Sequence, residues 1–186
     1  FLTSPIDPLA IQIMYYIKAK WYKTPDEMNI LKDFDKDMHK IFALDDLGED
    51  PQKGEGKNII IVAHSLGSVI AFDYVMGFLK VKMKKDIKLK SFITMGSPIP
   101  LFSSAMGHPD SDLELLKDNN IERWVNIYSP QDGIARHMKP FFRNISIDEH
   151  KVWTGLFPLQ AHGGYWKSKR TAAIIATEAL TALGYK

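Results

Sequence analysis

The sequence predicts an α/β fold in which a mainly parallel sheet is flanked by helices. The continuous β-branched run at 58–63 is typical of a strand buried on both faces of a sheet, and 89–95 and 123–128 are two further strand candidates. Helices are predicted over 67–80, where apolar residues recur at three- and four-residue steps, and over 169–183. Strands that alternate with helices form parallel sheets, which bind ligands beyond the carboxyl ends of their strands.

The composition is that of one soluble globular domain, which we expect to span residues 1–186. The chain has 186 residues, of which 45% are hydrophobic and 25% are charged. Its formal net charge of +2 is too small to indicate a nucleic-acid partner. The absence of cysteine excludes disulfides and thiolate chemistry, and it does not fix the cellular compartment.

Two helices are predicted before the first strand. An Asp-Pro pair at 7–8 begins the first, which runs to about residue 22, because an N-cap acceptor followed by proline is a helix-start signal. A capping box at 24–27 begins the second, whose apolar residues recur at helical spacing up to Phe42. The polar, glycine-containing stretch 45–57 predicts a loop before the first strand.

Turn-forming residues end the later elements. Gly96-Ser97-Pro98 ends the second strand, and Ser129 to Gly133 ends the third. Ser168 is the expected N-cap of the last helix, and Gly184 is its expected stop.

The first strand runs into Ala63-His64-Ser65-Leu66-Gly67, directly before a helix. A serine hydroxyl is a poor nucleophile unless it is presented and deprotonated, and a sharp strand-to-helix turn presents it. Such a turn is crowded, so small residues are needed two positions before and after the serine, where Ala63 and Gly67 stand. The Leu66 N–H begins the helix and would stabilise an oxyanion. Ser65 is therefore the predicted nucleophile.

The segment Val62 to Ala71 resembles the nucleophile elbow of α/β-hydrolases of the serine esterase and lipase type, with Ala63 in place of the usual first glycine. The resemblance runs from the helix before the elbow to the end of the chain. It implies a cofactor-independent hydrolase in which an acid and then a histidine follow the serine in the sequence.

Asp132 is the acid that the resemblance implies. It lies in the turn after the third strand and would hold an imidazole in the required tautomer. As an aspartate before Gly133 it also fits an ordinary turn without a function. Asp110 and Asp112, in a polar stretch after the second strand, are the reserve candidates.

His162 is the expected base. The small-residue stretch Ala161 to Trp166 resembles the histidine loop of the family, in which an aromatic residue commonly follows the histidine. His64 occupies a family position that neighbours the nucleophile, and we expect it to pack or hydrogen-bond near the site. His150 is the second candidate for the base, although its charged neighbours indicate a solvated residue. The remaining histidines are predicted to be exposed, loop, and surface or pocket-rim residues, respectively: His39, His108 and His137.

Other residues are candidates for the pocket wall. Ser97 would border the site, or it merely ends a strand. Six apolar residues would form an acyl pocket, although apolar residues belong more often to the core: Ile99, Leu101, Phe102, Leu156, Phe157 and Leu159.

The segment before Asn58 contains no convincing strand, apart from a possible strand tail at 1–3. The family places two or more strands before the elbow strand, and a loop after one of them supplies the second oxyanion-hole N–H. We therefore expect an upstream segment or a second chain to complete the sheet, with this chain as the C-terminal portion of a larger domain.

Two further segments contain lysines or glycines in patterns that bear on binding a membrane surface or a phosphate. The segment 80–90 holds six lysines and one aspartate, which suits either an anionic membrane surface or a solvated connection between helix and strand. The Gly-Glu-Gly-Lys stretch at 54–57 precedes a strand and lacks the spacing of a phosphate loop. The histidines lack metal-ligand spacing, and no metal or other cofactor is expected.

The sequence therefore predicts a serine hydrolase that cleaves a carboxylic ester of a small molecule or a lipid through an acyl-enzyme. Two alternatives stay open. One is a non-catalytic binding or effector module on the same fold. The other is a thioesterase or acyltransferase that uses the same three residues, since fold and triad do not name the substrate.

Overall fold

The computed structural model describes residues 16, 25–42, 57–79, 87–106, 121–142 and 145–185. The chain divides into two compact units, residues 1–43 and 44–186. The expectation of one domain over 1–186 stays a prediction. Several predicted features lie outside the described residues: the strand tail at 1–3, the first helix apart from Tyr16, the loop up to residue 56, most of the lysine-rich segment 80–90, His108, Asp110 and Asp112.

The first unit contains helix α1 (Pro25–Phe42). The helix begins at the proline of the predicted capping box, because proline has no N–H to lose in the first turn of a helix. Leu31 and Met38 are buried, whereas His39 in its last turn is exposed, as predicted.

The second unit contains a four-stranded sheet in which every neighbouring pair is parallel. The strands lie side by side in chain order: β1 (Lys57–His64), β2 (Ile87–Met95), β3 (Trp124–Tyr128) and β4 (Ile147–Lys151). Helices flank the sheet: α2 (Leu66–Asp73), which continues as a π-helix over Tyr74–Leu79, then α3 (Ile99–Met106), α4 (Pro158–Gly163), a 3-10 turn (Tyr165–Lys167) and α5 (Lys169–Ala182). The predicted α/β class is confirmed.

Both faces of the sheet are covered, which explains why successive residues are apolar at Phe92-Ile93 in β2 and at Trp124-Val125 in β3. On one face, alternate residues of β2 and β3 pack with each other and with Ile174 and Ile175 of α5: Ile93, Met95, Val125 and Ile127. On the other face, the ring centroids of Phe92 and Phe72 lie 5.5 and 5.6 Å from that of Trp124. The side-chain period of two sends successive residues of each strand into these two cores.

The register brings the carboxyl ends of three strands together. His64 pairs with Met95, and Met95 pairs with Ile127. The ladder continues one residue further, since the Gly96 N–H donates to the Ile127 carbonyl at 3.1 Å. The loops after β1, β2 and β3 therefore leave the sheet at one edge, where parallel sheets bind their ligands.

Three elements were not predicted from the sequence. Strand β4 reads Ile-Asp-Glu-His-Lys and lies at the end of the described sheet, where charged side chains are tolerated because one side of the strand is open. Helix α3 begins within the apolar run after Gly96, and α4 begins at Pro158, before the predicted histidine loop, and extends into it as far as Gly163. Both are short, so they carry too few turns to reveal a helical period.

Gly96 has a positive φ of 57°, and a Cβ there would lie 2.8 Å from Tyr165 Cε2 and 3.1 Å from the His64 ring. We expect Gly96→Ala to lower the free energy of unfolding by about 1–3 kcal/mol, because left-handed backbone and close contacts both disfavour alanine. Urea unfolding followed by circular dichroism measures the change.

Gly67→Ala is the matched control, since a Cβ at Gly67 meets no described atom within 4 Å. This variant should change the free energy of unfolding by less than about 0.5 kcal/mol. Equal losses in the two variants would contradict the account of Gly96.

Candidate active site

Ser65 occupies a sharp break between β1, which ends at His64, and α2, which begins at Leu66. It is the one non-glycine residue with a positive φ among the residues described, with φ 55° and ψ −133°. Such a backbone costs roughly 1–3 kcal/mol and persists only where the surroundings enforce it. The Ser65 N–H donates to the Met95 carbonyl at 3.1 Å, which ties the strained residue to the end of β2.

Two buried hydroxyl groups, of Ser68 and Ser97, hold the backbone of Ser65 in place. Ser68 Oγ lies 2.5 Å from the Ser65 carbonyl oxygen and 2.7 Å from Ser97 Oγ. A carbonyl can only accept, so when Ser68 donates its single proton there, Ser97 donates to Ser68. Ser97 Oγ in turn accepts from the Ile99 N–H at 3.3 Å. The Ser97 hydroxyl, predicted at the pocket wall, is thus engaged in a network that holds the Ser65 carbonyl.

His162 joins Ser65 and Asp132, which lie 97 and 30 residues before it in the chain. Its Nε2 lies 2.7 Å from Ser65 Oγ, and its Nδ1 lies 2.9 Å from Asp132 Oδ2. The three side chains come from the ends of β1 and β3 and from α4, and each residue is at most 7% exposed. The structure therefore brings the three sequence-predicted residues into one hydrogen-bonded chain.

Helix α4 holds His162 through close backbone contacts. Thr154 Oγ1 donates to the Ala161 carbonyl at 2.7 Å, and a Cβ on Gly164 would overlap the Thr154 carbonyl. The small residues of this stretch let α4 and the residue after it pack tightly onto the segment before them. A rigid support of this kind limits the positions that the imidazole can take.

Asp132 accepts four hydrogen bonds. Its Oδ1 accepts from the N–H groups of Ile134 and Ala135, at 2.9 and 3.2 Å, and its Oδ2 accepts from His162 and from the Tyr165 hydroxyl at 3.0 Å. Burial alone would raise the pKa of the Asp132 carboxyl, but the hydrogen bonds from His162, Ile134 and Ala135 outweigh it, and the pKa lies below the ordinary value. The carboxylate is therefore ionised at neutral pH.

The ionised carboxylate determines the tautomer of His162. A carboxylate can only accept, so the proton between the two groups belongs to His162 Nδ1. In neutral imidazole Nε2 then carries the lone pair and accepts from the Ser65 hydroxyl. The proton of Ser65 consequently points at a base.

Tyr165 is a member of the site that the sequence analysis missed. Its hydroxyl donates to Asp132 Oδ2 and accepts from the Ser129 N–H at 2.9 Å, and the residue is fully buried. Burial, together with the Asp132 charge, raises the pKa of the Tyr165 hydroxyl, so it stays a protonated donor. The available signal was an aromatic residue shortly after the histidine, which the family pattern carries without a stated role.

His64 braces the backbone of the base. Its Nε2–H donates to the His162 carbonyl at 2.8 Å, and the two imidazole centroids are 4.9 Å apart. Burial lowers the pKa of His64, although its hydrogen bond to the His162 carbonyl acts in the opposite direction. A neutral His64 places no positive charge beside His162. The structure thus places His64 beside His162 and not against the Ser65 hydroxyl, which bonds His162.

The residue after Ser65 begins a helix. Leu66 is the first residue of α2, and the first N–H groups of a helix have no intrahelical partner. The crowding predicted around Gly67 is not found among the described residues, since a Cβ there would have open space. That space lies two residues from Ser65.

The other sequence candidates lie elsewhere. His137 and His150 contact Glu149 and Asp148, and neither joins Ser65. Of the apolar candidates, Ile99 and Phe102 are buried and Leu101 is exposed, whereas the three around α4 are exposed surface rather than core: Leu156, Phe157 and Leu159.

No cluster of three or more metal-ligating side chains occurs in the part of the chain that the structure describes. Within the same residues, no helix combines the length and the hydropathy that crossing a bilayer requires.

Comparison with known proteins finds one type of relative over part of the chain. A stretch of 57 residues is 39% identical to the intracellular phospholipase A1 of Caenorhabditis elegans, and it covers 31% of this chain and 7% of the worm protein. No protein-family model matches the chain, and no solved structure matches it. The chain therefore spans only a small part of the length of the phospholipase that it matches.

The lowered pKa of Asp132 makes a prediction about stability. A carboxyl whose pKa is lower in the folded than in the unfolded protein stabilises the fold above its ordinary pKa, near 3.8, and loses that contribution as the pH falls through the lowered value. Asp132→Asn should therefore reduce the free energy of unfolding by about 1–3 kcal/mol at pH 7, because it replaces an acceptor of four bonds.

Urea unfolding of the two proteins at several pH values measures this difference. It should be constant from pH 7 to pH 5 and shrink below pH 4. A difference that stays the same at pH 3, or grows there, would show that the carboxylate is not the stabilising species.

Proposed function

We propose that this protein is a serine hydrolase that cleaves the carboxylic ester of a lipid through an acyl-enzyme. The observation that carries the proposal is the continuous chain of hydrogen bonds from Ser65 Oγ through His162 to the ionised Asp132. The strained backbone at Ser65 supports it, since strain of this kind clusters at functional sites.

In the first step, Ser65 Oγ attacks the ester carbonyl carbon while its proton passes to His162 Nε2. The resulting imidazolium is stabilised by Asp132, which keeps its negative charge throughout. The carbonyl oxygen becomes an oxyanion, for which the Leu66 N–H at the start of α2 is the proposed donor.

In the second step, the tetrahedral intermediate collapses and the C–O bond to the alcohol breaks. His162 gives its proton to the departing alkoxide, and the acyl group remains on Ser65 as an ester. Water then repeats the sequence: His162 takes its proton, the hydroxide attacks the acyl carbon, and the carboxylic acid leaves as Ser65 regains its proton.

The lipid ester is the part of the proposal that the partial similarity to a phospholipase A1 supports. A binding module would leave Ser65, His162 and Asp132 too far apart for hydrogen bonding. This alternative is disfavoured, because His162 Nε2 lies 2.7 Å from Ser65 Oγ and His162 Nδ1 lies 2.9 Å from Asp132 Oδ2. A thioester substrate or an acyl acceptor other than water would use the same three residues.

A fluorophosphonate probe tests the nucleophile. Such probes phosphonylate activated serines, so we expect stoichiometric labelling that maps to the peptide containing Ser65 and is lost in Ser65→Ala. Ser103→Ala, in α3 and outside the hydrogen-bonded chain, is the control and should label fully. Intact-protein and peptide mass spectrometry provide the measurement. Labelling that persists in Ser65→Ala, or its absence in the unsubstituted protein, would refute the proposal.

Tyr165 is proposed as a positioning residue that holds Asp132 against His162. Tyr165→Phe keeps the ring and removes one hydrogen bond to the carboxylate, so kcat for ester hydrolysis should fall about 2- to 10-fold, as the loss of one such bond predicts. KM should stay unchanged, because the hydroxyl is buried and bonds Asp132 and the Ser129 N–H. Steady-state kinetics separates the two constants.

A purely structural role for the Tyr165 hydroxyl predicts a different result. The variant would then have a lower free energy of unfolding and an unchanged kcat at temperatures where it is folded. Measuring urea unfolding beside the kinetics distinguishes the two roles.

A further inference from the structure

We propose that the loop carrying His162 docks on the surface of an anionic lipid aggregate and so delivers the ester to Ser65. This rests on the proposed function and adds a surface that the catalytic chain does not use. The surface, called the docking face below, consists of five exposed apolar side chains and four cations that are close to them in the sequence: Trp153, Leu156, Phe157, Leu159 and Trp166, with Lys151, Lys167, Lys169 and Arg170.

The apolar members are unusually exposed for their size. Phe157, Leu156 and Leu159 are 71, 68 and 67% exposed, and Trp166 and Trp153 are 63 and 60% exposed. Single exposed apolar residues are common on soluble proteins, but five large ones within residues 153–166 are not. Their concentration indicates a surface that binds something apolar.

One closed loop carries Leu156, Phe157 and Leu159, and the two tryptophans flank it in the sequence. The Gly155 backbone touches Ala161, and Gly164 touches Thr154, so the segment returns on itself around α4. The Leu156 N–H donates to Gln160 Oε1 at 3.1 Å, which ties the start of the loop to the helix. The exposed side chains are therefore held on a tightly packed support.

The charged residues near the loop in the sequence indicate which kind of surface it binds. Between His150 and Thr177 there is no aspartate or glutamate, and the four charged residues in that stretch are all lysine or arginine. Apolar side chains within a cationic surround match an anionic lipid surface, where lysines and arginines are attracted to the headgroups and apolar groups enter the acyl boundary. Tryptophan favours this boundary because its ring is amphipathic.

The docking face adjoins the catalytic chain. Trp166 lies edge-on to His64, with 6.1 Å between the ring centroids, and Leu159 is three residues before His162 on α4. A lipid surface in contact with this loop would lie beside the residues that act on the ester. Docking and chemistry would then share one support.

Vesicle binding tests the proposal without catalysis. In a Ser65→Ala background the lipid is not consumed, so sedimentation with phosphatidylcholine vesicles containing 30 mol% phosphatidylserine measures affinity alone. We expect binding that weakens at least 10-fold when the phosphatidylserine is omitted, and that falls as NaCl is raised from 50 to 500 mM, because salt screens the lysines and arginines.

Phe157→Asp with Leu159→Asp is the decisive variant. Aspartate is a favourable N-cap for α4 at position 157, and an acidic residue suits its first turn, so the helix should persist. We expect at least a 10-fold loss of vesicle affinity. Leu180→Asp is the matched control: it is 51% exposed on the same helix as Lys169, 11 residues or about 16 Å further along, and should bind normally.

The catalytically intact proteins separate docking from chemistry. With Ser65 restored, the double variant should lose at least 10-fold more activity on vesicle esters than on a soluble short-chain ester. Equal vesicle binding by the double variant and the unsubstituted protein, or an equal loss in Leu180→Asp, would overturn the docking proposal. The docking proposal would also be overturned if the unsubstituted protein were an oligomer that did not bind vesicles and the double variant were a monomer, because the docking face would then join two copies of the chain. Failure of Ser65 labelling would instead overturn the proposed function and leave the vesicle result standing.

Discussion

The carboxylate of Asp132 is the group on which the geometry of the candidate site depends. Four donors surround it, and the hydrogen bonds from His162, Ile134 and Ala135 outweigh the cost of burying its charge. Because an ionised carboxylate can only accept, it assigns the His162 proton to Nδ1 and leaves Nε2 to accept from Ser65. A protonated or displaced Asp132 would release both constraints, and the serine would face a base of undefined tautomer.

The second requirement is the backbone at Ser65, which adopts a conformation that serine rarely visits. The ladder bond to Met95 holds one side of the residue, and the Ser68 hydroxyl holds its carbonyl on the other. The rings of Tyr165 and His64 lie so close to Gly96 that a side chain at that position would clash with them. Stability and site geometry are therefore coupled at one edge of the sheet.

Much of this arrangement is readable from the sequence, and the unreadable part has physical reasons. The α/β class follows from buried β-branched strands, and Ser65 stands out because a strand and a helix meet there. Strand β4 could not be predicted, because its charged side chains, which an edge strand tolerates, hide the usual apolar strand pattern. The contact of Tyr165 with Asp132 could not be predicted either, because it depends on tertiary packing. The roles assigned to Ser65, Asp132 and His162 stay predictions, for which their hydrogen-bonded geometry is the support.

The account is tested most directly by trapping the acyl-enzyme. The protein is mixed with a short-chain ester, quenched in acid within milliseconds, and analysed by intact-protein and peptide mass spectrometry. We predict an acyl adduct on the peptide containing Ser65 that forms before steady turnover and is absent from Ser65→Ala. Ester hydrolysis with an adduct on a different residue, or hydrolysis that continues in Ser65→Ala, would contradict the account.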